Sequence, residues 1–237
     1  MILLPDCIDL VIFDCDGVLI DSEVVSARVI VEMLELEGVK IDKNYVYKYF
    51  LGRQFSRVKQ TVLEEFSIML PDSFESDYRQ QLLLAFGKEL KTTSGVKEVL
   101  SNLNVPNCVA TSSSPLRTQR ALELVGLLDH FGKNIFTASE VKYGKPAPDL
   151  FNLASEKMQV DPKRCLVIED SIMGINAAIA AGMRVWRYYG ASHLSCEKNK
   201  LRDQSSQVPV FNNWQKFYQM APNLRKQKLT VGDQRDD

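Results

Sequence analysis

A chain of 237 residues that is 45% apolar and 25% charged has the balance of an ordinary folded protein, which excludes global disorder and low-complexity classes. With 29 Lys and Arg against 30 Asp and Glu, the formal net charge of −1 favours neither nucleic acid nor an anionic membrane as partner. No predominantly apolar run reaches the roughly 18 residues that span a bilayer, and Met1 to Asp6 has no basic, apolar leader pattern, so a cytoplasmic protein is expected. The five cysteines are scattered without a Cys-x-x-Cys pair and read as reduced thiols, with Cys108 and Cys165 in buried strands. Two histidines far apart, His130 and His193, argue against a His-rich metal site or a Ser-His-Asp triad, although His193 retains a possible supporting role.

The first apolar run, Ile8 to Phe13, reads as a buried strand that ends in Asp14-Cys15-Asp16-Gly17. Asn107 to Thr111, Ile135 to Ala138, Cys165 to Ile168 and Arg184 to Tyr188 read the same way, and Val208 to Phe211 more weakly. Helical stripes separate them. Val96, Val99, Leu100 and Leu103 form one; Leu116 to Val125, before Gly126, forms another. Leu150, Phe151 and Ala154 begin a third, and Gly174 to Ala181, before Gly182, is the fourth. Strands alternating with helices predict an α/β fold: a Rossmann-like parallel sheet with helices on both faces.

One stretch breaks the alternation. Val25, Val29, Met33 and Leu36 share a helical face before Gly38, and Val58, Val62, Phe66 and Met69 share another before Pro71. Asp72 with Glu75 fits the start of a third helix carrying Tyr78, Leu82 and Phe86. The expected organisation is therefore a discontinuous core, residues 1–19 and 92–225, with an all-helical insert at 20–91. Residues 226–237 are expected as a polar tail, and Glu197 to Asp203 as a solvated loop.

Four segments carry candidate chemistry, each at the end of a predicted strand. Asp14 and Asp16, one residue apart, point to the same side of the chain, at the sheet end where ligands of open parallel sheets bind. Like charges so close favour a cation between them or a proton on one. Thr111-Ser112-Ser113-Ser114-Pro115 offers hydroxyl and free N–H groups to a phosphate, or simply caps the next helix. Lys145 lies in Lys145-Pro146-Ala147-Pro148, where two prolines restrict its direction. Glu169-Asp170-Ser171 ends another strand and supplies oxygen ligands of the kind Mg²⁺ takes, or acids at a helix start.

In this order and at these strand ends, the four segments resemble the haloacid dehalogenase-like hydrolases. The resemblance is to the subgroup of phosphatases and β-phosphoglucomutases with an inserted helical cap, and it extends from about Asp9 to Met183. It implies Mg²⁺-dependent hydrolysis of a small phosphorylated metabolite, a sugar or sugar-acid phosphate such as 6-phosphogluconate, through an aspartyl-phosphate. Asp14 would be the nucleophile and Asp16 the general acid and base. Thr111 and Ser112 would bind the phosphoryl oxygens, and Lys145 would neutralise Asp14 and the phosphate. The metal would sit on Asp14, the Asp16 carbonyl and Asp170, with Glu169 acting directly or through water.

Within that subgroup the mutases carry Asp-Thr after the first motif and a His shortly after. This chain has Asp21-Ser22-Glu23 and no His in the insert, which favours a phosphatase over a sugar-phosphate mutase. A non-catalytic binding protein on the same fold would show a broken motif, and all four are intact. Arg53, beside Gly52, and Lys59 are the expected substrate contacts in the insert. A monomer acting on small molecules is expected.

Overall fold

The computed structural model describes residues 8–197 and 208–227. Strand β1 (Leu10–Phe13) opens the chain, followed by four helices: α1 (Glu23–Leu36), α2 (Lys43–Tyr49), α3 (Phe55–Phe66) and α4 (Phe74–Glu89). The alternating part follows as α5 (Val96–Asn102), β2 (Asn107–Thr111), α6 (Pro115–Leu124), α7 (Leu128–Phe131) and β3 (Ile135–Thr137). It continues through α8 (Asp149–Lys157), β4 (Cys165–Glu169), α9 (Ile172–Ala180), β5 (Arg184–Tyr188), β6 (Val210–Phe211) and α10 (Phe217–Met220).

The six strands form one sheet in the order β3-β2-β1-β4-β5-β6, every pair parallel. All four residues of β1 are buried, as a strand covered on both faces requires. Alternate residues face opposite sides: Leu10 and Ile12 pack with α8 and α9, and Val11 and Phe13 pack with Val96, Leu122 and Trp214. The strand order reverses between β1 and β4, so Asp14 and Glu169 emerge side by side at the crevice beyond the strands' carboxyl ends.

Helices α1 to α4 have an apolar cluster of their own, built on Ala27, Ile30, Leu34, Val46, Val58, Val62 and Phe74. A second face, Val25, Val29, Leu82 and Phe86, joins the cluster of the sheet's own helices. The insert leaves and re-enters through two crossing segments: Ile20 bridges Thr92, and Thr93 N–H donates to the Leu19 carbonyl at 3.0 Å. Trp214 Nε1 donates to Thr93 Oγ1, which donates to the Val18 carbonyl, so the C-terminal segment secures both passages.

Several expectations needed correction. Leu36 and Met69, expected on buried faces, are 87% and 81% exposed. Each lies at or beyond a helix end, where Glu37 and left-handed Ser67 turn the chain off the buried stripe. Ser73 precedes α4 without a side-chain cap, so Asp72 and Glu75 form no capping box. Helix α2, two turns whose only buried residue is Val46, has too short a stripe to stand out in the sequence. Lys226, placed in the tail, still pairs through its N–H with the Asn102 carbonyl. Most of the predicted tail, and the charged stretch from Lys198, lie outside the described residues. Cys15, Cys108 and Cys165 are buried free thiols, as expected.

Candidate active site

Asp14 is set by β1, whose register carries its N–H to the Ile168 carbonyl at 3.0 Å. Lys145 reaches across from the loop before α8, with its side chain only 4% exposed. Its ammonium donates to Asp14 Oδ1 at 2.6 Å, Glu169 Oε1 at 2.7 Å and the Ala110 carbonyl at 3.0 Å. Three acceptors use all three of its protons, so the cation is fixed in place. Ser171 N–H and Oγ occupy Glu169 Oε2 at 2.8 and 2.9 Å. Glu169 was expected at the metal, directly or through water; both of its oxygens accept hydrogen bonds here, and it helps to hold Lys145.

Two glycines permit this approach of carboxylates. Gly17, with φ of +78°, lies so close to Asp170 that a Cβ there would meet Oδ2 at 2.0 Å. A Cβ on Gly174 would meet Glu169 Oε1 at 1.7 Å. Neither position admits a side chain while the acids stay where they are.

Asp16 is held by three donors. Ser22 Oγ reaches Oδ1 at 2.5 Å, Ser113 Oγ reaches Oδ2 at 2.6 Å, and Arg117 reaches Oδ1 at 2.7 Å. Ser22, Ser113 and Arg117 were not anticipated. Ser22 and Ser113 lie within the quoted motifs, but only the fold shows that they face Asp16. Arg117 sits on α6 with no local signal. Thr111, 1% exposed, accepts the Ser113 N–H at 3.1 Å, which turns the chain after β2 and leaves Ser112 exposed at the mouth.

The electrostatics separate the two aspartates. Burial, reinforced by Glu169 and Asp16, pushes the Asp14 carboxyl up to about 7 despite Lys145. Arg117 and the two serine hydroxyls hold Asp16 below the usual carboxylate range although it too is buried. Asp170 is pushed well above that range by burial and its acidic neighbours. Glu23, at the start of α1, is raised to about 8 by burial and by Asp16. His193 Nε2 lies 3.5 Å from Asp170 Oδ2, and burial holds the imidazole down at about 4, so it is neutral.

Arg53 and Lys59 are not brought to this cluster. Arg53 lines a cavity of about 310 Å³ with Lys48, Tyr49, Arg57, Thr61 and Glu65, and Lys59 lies 3.9 Å from Asp72. Among the described residues no helix is long and apolar enough to cross a membrane.

Comparison with known proteins shows the family and the fold. A family model described as haloacid dehalogenase-like hydrolase matches residues 8–182. A 6-phosphogluconate phosphatase of Escherichia coli is 30% identical over 187 residues, 78% of this chain and 85% of that protein. A haloacid dehalogenase-like protein of unknown function from Agrobacterium tumefaciens superposes with a TM-score of 0.80 at 34% identity, covering 91% of this chain and 98% of that one. A hydrolase of the same family from Deinococcus radiodurans, solved with bound phosphate and sodium, gives 0.75 at 28% identity, covering 93% and 99%.

Proposed function

The chain belongs to the haloacid dehalogenase-like hydrolase family as a phosphoric monoester hydrolase, and we propose that it hydrolyses a small sugar or sugar-acid phosphate with Asp14 as nucleophile. The observation that carries this reading is the Lys145 ammonium fixed between Asp14 and Glu169, with a second aspartate two residues away. In phosphoryl transfer the protein's task is positioning and neutralising negative charge more than supplying unusual chemistry.

Asp14 attacks phosphorus, and the P–O bond to the alcohol breaks as Asp16, which rests as a carboxylate and must first take up a proton from solvent, gives that proton to the departing oxygen. Asp16, now a carboxylate, takes a proton from the water that attacks the aspartyl-phosphate, and phosphate leaves with Asp14 regenerated. Lys145 offsets charge on Asp14 and on the phosphoryl group. Thr111 and Ser112 would bind the phosphoryl oxygens. The helical insert serves as the cap that excludes water during transfer.

Mg²⁺ fits the donor set. Asp14, Asp16, Glu169 and Asp170 lie in one cluster whose cations, among the described residues, are Lys145 and Arg117. A divalent ion would offset that surplus, although among the described residues no three ligating side chains already converge on one point. Mg²⁺ needs few, because it keeps waters and takes carbonyl oxygens. Asp14, Asp170 and the Asp16 carbonyl would hold it, and it would polarise the phosphoryl oxygens.

The test is phosphate release from a panel of phosphorylated sugars and sugar acids, beginning with 6-phosphogluconate, with and without Mg²⁺, for wild type and Asp14→Asn. Metal-dependent release that disappears in the variant is expected. Release that survives in Asp14→Asn removes the nucleophile assignment, and release unaffected by EDTA removes the metal.

A further inference from the structure

Asp170 differs from the other acids at the strand ends. Asp14 accepts from Lys145, Glu169 from Lys145 and Ser171, and Asp16 from Ser22, Ser113 and Arg117. Among the described residues no hydrogen bond reaches the Asp170 carboxylate; only its backbone carbonyl is bonded, by Arg187 Nε at 3.2 Å. One flank of that carboxylate is nevertheless closed. Its Oδ2 lies against Gly17, where a Cβ would come within 2.0 Å, and 3.5 Å from His193 Nε2. The same Cβ would lie 3.1 Å from His193 Cε1, so glycine and imidazole together wall off one side of Asp170.

His193 has no part in the chemistry above. Its side chain is 3% exposed, and its Nδ1 is buried with no hydrogen-bond partner. A neutral imidazole carries its proton on one nitrogen or the other. A proton on Nδ1 would bury a donor with nothing to receive it. The proton is therefore assigned to Nε2, which faces Asp170 Oδ2. Packing alone does not account for the residue: a phenyl ring would rest against the Tyr47 ring of α2, 5.9 Å away, without an orphaned nitrogen. The chain is also fixed beside it, where Asp21 Oδ1 accepts the Ser192 N–H at 3.0 Å and Asp21 Oδ2 accepts the Ser192 hydroxyl.

We propose that His193 is a positioning residue for the metal: its Nε2–H and ring hold Asp170 in the rotamer that presents its carboxylate to Mg²⁺. This rests on the reading of Asp170 as a Mg²⁺ ligand and extends it to a residue outside the strand-end segments. Partners of this kind act by orienting a ligand, and losing one weakens metal affinity about 10–100-fold.

The experiment measures Mn²⁺ binding without substrate, counting free Mn²⁺ by its EPR signal, for wild type, His193→Phe and His193→Gln. Mn²⁺ takes the same oxygen ligands as Mg²⁺. Phe keeps a ring and loses the N–H; Gln loses the ring and keeps an N–H donor of similar reach. Kd should rise about 10-fold or more in His193→Phe and stay within about threefold of wild type in His193→Gln. A role in packing alone gives the reverse order, since Phe fills a buried site better than Gln. A second measurement uses the wild-type residue itself. His130 and His193 are the two histidines of the chain, so His130→Gln separates their signals. In ¹H–¹⁵N spectra His193 should be the Nε2–H tautomer, and its ring resonances should move on saturation with Mg²⁺ while those of exposed His130 stay in place.

Equal Mn²⁺ affinity in wild type and His193→Phe, an equal loss in His193→Gln, an Nδ1–H tautomer, or His193 resonances indifferent to Mg²⁺ would overturn the proposal. Wild type that binds neither cation would instead remove the metal site itself, and this proposal with it. Should His193→Phe fail to fold, the wild-type spectra decide.

Discussion

The strand ends and the helical insert treat their charged side chains in opposite ways. At the strand ends Lys145 is 4% exposed and has two carboxylates within 2.7 Å. On the insert Lys48, Arg53 and Arg57 are exposed, and the nearest acid to Arg57 is Glu64, at 3.7 Å. Chemistry common to every phosphate ester needs preorganised groups that exclude water. Recognition of the alcohol behind the phosphate does not, and solvated side chains on a separate helical layer can change without disturbing the sheet. Under the proposed function, that difference would divide the labour: the core would read phosphorus, and the insert what is attached to it.

The largest effect should come from Asp14→Asn, which replaces the proposed nucleophile by an amide and should reduce turnover at least about 10⁴-fold. Its effect on stability should be the reverse. The folded Asp14 carboxyl is raised from 3.8 to about 7. Between those values the native state binds a proton that the unfolded state does not, so ionising Asp14 weakens the fold as pH rises through about 7. In EDTA, Asp14→Asn should therefore melt above wild type at pH 8 and beside it at pH 4. A variant that melts lower at pH 8 contradicts a strained carboxylate at this position.

Lys145→Met tests the same cluster from the other side. Both Asp14 and Glu169 lose their cation, and removing one partner of a buried pair costs on the order of 3 kcal/mol. Turnover should fall about 10²–10³-fold, and the melting temperature should drop where that of Asp14→Asn rises. A common sign for the two variants would show that the cluster behaves as one packing unit and not as a charge balance. A step smaller, Ser113→Ala removes one of three donors on Asp16 and should lower kcat about tenfold with KM nearly unchanged.

The contrast between the two layers also explains what was legible in the chain. Asp14, Thr111 and Asp170 could be located because each ends or follows a short apolar strand, and parallel strands in one sheet deliver their ends to one place; Lys145, eight residues past β3, was marked instead by Pro146 and Pro148. The role of Glu169 could not be assigned, because only the fold shows Lys145 Nζ and Ser171 taking both of its oxygens. Arg117 was invisible for the same reason: it sits on the polar side of an amphipathic helix, where most arginines meet only water. In the insert, periodicity located α1, α3 and α4 but placed Leu36 and Met69 on the wrong side of a helix end. Periodicity identifies a face, but where a helix stops depends on one residue's backbone, here left-handed Ser67.

The smallest expected effects lie at Arg53 and Lys59, and they bear most directly on the division of labour. Arg53 is exposed, and Lys59 is half-buried beside the fully exposed Asp72, so neither holds the fold and Arg53→Ala and Lys59→Ala should shift stability by no more than about 0.5 kcal/mol. If the insert selects the leaving group, KM for the best substrate should rise about three- to tenfold in Arg53→Ala with kcat held. KM for a small phosphate ester with no sugar to recognise should not move. The cavity that Arg53 shares with Lys48 and Arg57 carries three cations and one acid, Glu65, which the Tyr45 hydroxyl already occupies at 2.6 Å. That excess of positive charge makes Arg53 the more sensitive of the two positions, since Lys59 already has Asp72 beside it. A kcat loss shared by every ester would place Arg53 with the core chemistry and erase the distinction between the layers. An unchanged KM on the whole panel would move selection away from this cavity to the seam where Glu23 faces Asp16 and Arg117.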